Sequence, residues 1–167
     1  MKIKYLLLFW IVLISSFGRS QSFNYKENAV YIYNILKNTN FPFTKNSITI
    51  GVIGNTSVEA ELKNLLSKKG TLFSIKNITL AEVQTVDVII LGSSSSKKIK
   101  EIQSKTAKLP ILIITEKEDL NYSGACISLF MDEDDDYKTK YQLSPFNLRS
   151  RGISMNPLIV NNAVLVR

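Results

Sequence analysis

The chain contains no histidine. That excludes a Ser-His-Asp triad, a Cys-His pair and any His-ligated metal centre. The chemistry left open belongs to carboxylates, hydroxyls, one thiol and backbone amides. Three apolar runs end in groups able to hold a small molecule. "ITIGVIG" leads into Gly54, Asn55 and Thr56, "VDVIILG" into Gly92, Ser93, Ser94, Ser95 and Ser96, and "LPILIIT" into Thr115. If the runs are strands of an open parallel sheet, these residues rim the crevice where ligands sit. Free amides at the two helix starts suit an anion or a carboxylate. The spacing matches neither a Walker loop nor the dinucleotide fingerprint, because the lysine and the third glycine are missing. The plainer reading is that glycine, serine and threonine make good strand-to-helix turns and caps.

The acidic run Asp132, Glu133, Asp134, Asp135, Asp136 invites a calcium loop. Tyr137 stands where such a loop needs glycine, and Leu143 where it needs glutamate, so the run reads as a solvated hairpin turn. Lys97, Lys98 and Lys100 read as a helix face in water. Cys126, the only cysteine, lies in the apolar stretch "ACISLFM" and reads as a buried small hydrophobe. One thiol makes no internal bridge, which leaves an intermolecular disulfide as the sharper alternative. No nucleophile–base or acid–base set can be named. The expectation is a protein without catalytic residues, metal or cofactor.

The elements that would position these groups follow from periodicity. Ala29, Val30, Ile32, Tyr33 and Leu36 form one apolar stripe of a first helix, which should stop before "NTNFPF" because the residue preceding Pro42 is pushed out of helical geometry. "SITIGVIG" is a continuous β-branched run of the kind found in sheets covered on both faces. Thr56 followed by Glu59 is a capping box, and Val58, Leu62, Leu65 and Leu66 give the next helix its apolar face until "KKG" ends it. "TLFSIKNI", "VDVIILG" and "LPILIIT" are further strands, with the four serines as loop and N-cap of a short helix over residues 97–104. Strand–helix alternation of this kind builds right-handed parallel βαβ units. "ACISLFMD" and "YKTKYQLS" then read as a hairpin, the second an edge strand. Ser144 caps a short helix with Pro145 at its first position and Gly152 beyond its end. Pro157 fits only a first helical turn, so a last helix should start near Ser154. The expected fold is α/β, a mainly parallel sheet flanked by helices (Rossmann-like), with a C-terminal antiparallel hairpin strand and closing helices.

The amino terminus has the order of an export signal. Lys2 and Lys4 precede ten apolar residues, 5–14, and small and polar residues follow. The run is short of the ~20 residues a spanning helix needs. Cleavage after Ser20 would leave residues 21–167 as one domain, with no cysteine nearby for a lipid anchor. Losing Lys2, Lys4 and Arg19 with no acid lowers the net charge from +7 to +4. A modest surplus spread along the chain favours solubility and is no nucleic-acid footprint. Periplasmic or secreted localisation is expected.

Two segments carry more apolar residues than a core-facing stripe needs. Tyr31 and Ile35 stand on the first helix, opposite its stripe, and Leu158 and Ile159 open the apolar tail. Such excess marks a surface for a partner or for self-association. Ile159 also fits a tail that covers the sheet as core.

The order of these pieces resembles the YfiR-like family of bacterial periplasmic proteins. The resemblance runs from Tyr31 to the end through Tyr31, Tyr33, Asn34, Phe41, Pro42, Gly54, Gly92, Thr115 and Gly152. It implies an α/β regulator rather than an enzyme, able to dimerise, that binds the periplasmic domain of a membrane signalling protein such as a diguanylate cyclase or sensor kinase. The alternative is a soluble binder of an unidentified small ligand in the strand-end crevice. Two departures stand out. The cysteine pairs that tune repression in relatives are reduced to Cys126, and the closing helix, with Pro157, Asn161 and Asn162, is less leucine-rich.

Overall fold

The computed structural model describes residues 25–166 apart from 55, 70, 71, 136 and 137. The export signal and Asn55 therefore lie outside the described residues. In chain order the elements are α1 (Tyr25–Lys37), β1 (Thr39–Asn40), β2 (Ile48–Ile53), α2 (Ser57–Lys69), β3 (Phe73–Asn77), β4 (Val88–Leu91), α3 (Ile99–Thr106), β5 (Leu112–Thr115), β6 (Ile127–Asp132), β7 (Lys138–Leu143), α4 (Pro145–Ser150), β8 (Ser154–Met155), α5 (Pro157–Asn161) and β9 (Val164–Leu165).

A seven-stranded sheet runs β3-β2-β4-β5-β6-β7-β9. Its first five strands are parallel, β6 and β7 form the antiparallel hairpin, and β9 returns parallel to β7. From β2 the chain crosses first to β3 on one side and then to β4 on the other. Right-handed crossovers in opposite directions place α2 and α3 on opposite faces of the sheet. Every residue of β4 and of β5 is accordingly buried. The crossover from β3 to β4 has no helix; Ile78, Val83 and Val86 cover the sheet there. Gly51 lets these residues close down on β2, since a Cβ there would collide with the Ile78 side chain and crowd that of Val86.

The α/β architecture matches the expectation, and four details differ. The buried stripe of α1 is Asn28, Ala29, Ile32, Ile35 and Leu36, while Val30 is 47% exposed. Residues 93–98 form a 3-10 turn that runs straight into α3, and neither helix start has a side-chain cap. The serines are the turn itself rather than a loop before a helix. β7 is an interior strand because β9 covers its outer edge, with Val166 N–H donating to Leu143 O at 2.9 Å. The last helix begins at Pro157, capped by the Asn156 side chain, because Ser154 and Met155 are taken up in a two-stranded antiparallel pairing with Asn40 and Thr39. Ser144 does accept from Asn147 N–H, and Gly152 follows with φ +68°.

Candidate functional site

Two places gather the residues of interest. The first is the switch point of the sheet, where β2 and β4 end side by side and the chain order reverses; ligands of open α/β sheets bind at such points. Gly54 leaves β2 with φ +91°, and a Cβ there would lie 2.5 Å from Ser95 Oγ. That close approach seats Ser95 in the interior, while Ser93 and Ser94 are exposed and Ser96 is half-buried. Thr56 is buried, and its Oγ accepts from Val58 N–H at 3.1 Å, capping α2. The Glu59 carboxylate does not complete the capping box; it turns outward to Lys63 and Asn77. Thr115 is fully buried and satisfied locally, its hydroxyl donating to Lys117 O at 2.7 Å.

The group that organises this end is Glu116, which sequence reasoning missed. The Thr56 hydroxyl donates to its Oε1 at 2.6 Å, and the backbone of Ser93 donates to it from the other loop. Burial pushes the carboxyl above its ordinary range, and the bonds from Thr56 and Ser93 oppose that shift. Gly54, Thr56, Gly92, Ser93, Ser95 and Glu116 thus share one end of the sheet, and the protein's own carboxylate sits between the two helix starts. The available signal was an acid placed immediately after the buried run "LIIT".

The second place is a groove of ≈570 Å³ between α1, the β6–β7 hairpin and α5. Tyr31, Ile35, Leu158 and Ile159 all line it. Their surroundings correct the surface reading of Ile35 and give Ile159 its alternative, a place in the core. Ile35 is 1% exposed and belongs to the core stripe of α1; Ile159 is 7% exposed. Both sit in the floor because α5 folds back over the sheet and its backbone is fixed there, Tyr141 donating its hydroxyl to Ile159 O at 2.7 Å. Tyr31 is half-buried and packs edge-on against Tyr141, centroids 5.9 Å apart at 61°. Leu158 is 64% exposed.

The rim is charged but balanced. Lys140 bridges Asp132 at 2.5 Å and Asp135 at 3.3 Å, and Lys138 reaches Asp135 at 2.7 Å. These lysines hold the Asp132 and Asp135 carboxyls below their usual range, so these two acids of the run are paired within the hairpin. Among the described residues no group of three His, Cys, Asp or Glu is placed to hold a metal ion. Cys126 is a buried free thiol, and burial pushes it up.

The fold and these sites define an α/β module with a buried carboxylate at its strand end and an open apolar groove. The chain belongs to the YfiR/HmsC-like family, whose model matches residues 25–163. No curated protein matches. Among solved structures it is similar to a conserved domain protein from Vibrio cholerae o1 biovar eltor, with TM-score 0.60 and 16% identity over 86% of this chain and 60% of that one. It is also similar to an ABC domain in complex with L-Trp from Streptococcus pneumonia, with TM-score 0.58 and 13% identity over 85% of this chain and 60% of that one. At such identities the likeness is one of fold. The chain spans about 60% of the length of each of these structures. No helix among the described residues is long and apolar enough to cross a membrane.

Proposed function

We propose that this protein is a periplasmic regulatory module, exported by a signal peptide over residues 1–20. It binds the extracytoplasmic part of a membrane signalling protein through the groove between α1 and α5. YfiR-like proteins are periplasmic, act on membrane signalling proteins and are not enzymes in general. The observation that carries the reading for this chain is the groove itself. Tyr31 and Leu158 stand over an apolar floor, and the neighbouring charges are paired off. An apolar centre with a polar, near-neutral rim is the anatomy of a protein interface. The regulator acts by population shift, binding one state of its partner better than another. Self-association through the same groove is the competing use of that surface.

The switch-point location favours a second reading, a small ligand in the strand-end crevice. The Glu116 carboxylate weighs against an anion there, because it already takes the Thr56 hydroxyl.

The test is capture of the partner from native membranes by the purified protein. Tyr31→Asp and Leu158→Asp should keep the wild-type circular dichroism spectrum and lose at least tenfold in capture. Capture at wild-type strength by both folded variants would overturn the assignment of the surface.

A further inference from the structure

We propose that the cavity at the amino-terminal ends of β2 and β3 binds a small aromatic carboxylate. Its volume, ≈640 Å³, is within the range of about 300–1,000 Å³ usual for small-molecule sites. α1 contributes Tyr33 and Lys37, the segment before β2 contributes Phe41, Phe43 and Lys45, the end of α2 contributes Lys69, and Leu72 and Phe73 come from the entry to β3.

The apolar part of the lining is aromatic and incompletely covered. The Phe41 and Phe43 rings stack with centroids 5.3 Å apart and 27° between planes. Tyr33, Phe41, Phe43 and Phe73 are half-buried, and Leu72 is 67% exposed. Aromatic rings prefer offset-stacked or edge-on neighbours, and a flat ring entering this cavity would meet both kinds of surface.

The polar part is cationic. Lys37, Lys45 and Lys69 line the cavity, and no carboxylate does. Lys45 lies 4.6 Å over the Phe43 ring and is committed to the buried Asp87 carboxylate. Lys37 and Lys69 make no ion pair among the described residues. Lysines at helix C-termini complement the macrodipole, which accounts for each one taken alone. It does not account for two helix ends converging on one aromatic cavity without an acid. A ligand ammonium would find no counter-ion in this lining, and a neutral aromatic would leave both free lysines unused. A long acyl chain needs an enclosed tunnel, whereas Leu72 leaves one wall open. The site lies at the opposite end of the parallel strands from Glu116 and is independent of the groove at Leu158.

Isothermal titration of the purified protein with 2-naphthoate, naphthalene-2-methanol and laurate tests the assignment. Naphthoate should bind at least tenfold tighter than the neutral alcohol and than laurate. Its affinity should fall at least tenfold in the Lys37→Gln/Lys69→Gln double variant, whose exposed lysines can be changed without touching the core, and in Phe43→Ala. Leu158→Asp should leave it unchanged. Equal binding of the alcohol, preference for laurate or absence of binding each overturns the proposal. So does a dimer, seen by sedimentation, that Leu72→Asp dissociates while naphthoate fails to bind, since a second copy would then occupy the cavity.

Discussion

Glu116 carries a pH dependence whose sign follows from its burial. Its folded-state value is raised above the ordinary glutamate value, with burial the largest cause. Between those two values the folded protein binds more protons than the unfolded chain, so unfolding free energy falls as pH rises through that interval. The favourable contribution is complete below the ordinary value and lost above the raised one. Relative to Glu116→Gln, the wild type should therefore gain stability as pH is lowered through this window. Urea denaturation at several pH values measures it, and a pH-independent difference would contradict the assignment. Arg151 is buried too and, unlike Asp87, which Lys45 pairs, makes no ion pair among the described residues. It donates to Thr106 O at 3.0 Å and Leu109 O at 3.3 Å, and to the Gln103 side chain. These acceptors sit at the carboxyl end of α3, where the helix dipole is negative and a cation is favoured.

The shortest helix does unequal work with adjacent residues. α5 spans five residues, Pro157–Asn161; within it Ile159 is buried and Leu158 exposed. Ile159→Ala removes core volume on the buried side of α5 and should destabilise by about 2–5 kcal/mol, the usual range for a buried aliphatic truncation. Leu158→Ala should stay within about 0.5 kcal/mol, as for other surface changes. The two are read by urea denaturation of each variant. Equal costs would mean that the groove floor is assigned to the wrong residue. α1 is likewise used on two sides: Tyr31 and Asn34 face the groove, while Tyr33 and Lys37 line the aromatic cavity. β1 and β8 pair the residues after α1 with those before α5.

For the molecule as a whole, the core crosses both faces of the sheet without a covalent staple. Cys126 is the only cysteine and is fully buried between strands of the sheet. Thermal stability should therefore differ by less than about 2 °C between oxidising and reducing buffer, since no internal disulfide is available to constrain the unfolded chain. A larger rise on oxidation, with no covalent dimer on a non-reducing gel, would contradict a buried, inert thiol. The outer edges of the sheet are short or polar. β9 has two residues, and the lysine and asparagine at the end of β3 face solvent, which blunts edge-to-edge association.

The apolar runs ending in Gly54, Gly92 and Thr115 identify three of the parallel strands, β2, β4 and β5, by themselves, because β-branched runs without alternation are typical of a sheet covered on both faces. The Ser144–Pro145 start and the Gly152 finish of α4 were legible for a similar reason: cap geometry depends on a few neighbouring residues. Positions that depend on distant parts of the chain were not. Ile35, three residues after Ile32 in the buried stripe of α1, was open to the helical period and was misjudged, whereas β7 became an interior strand only through β9. Glu116 acquires its role from Thr56, sixty positions earlier. Phe41, Phe43, Phe73, Lys37 and Lys69 meet only because the amino ends of β2 and β3 are neighbours. Local propensity and hydrophobic period fix which segments become strands and helices. Which side chains then share a cavity is decided by strand order and crossover direction, long-range choices that no short stretch of residues encodes.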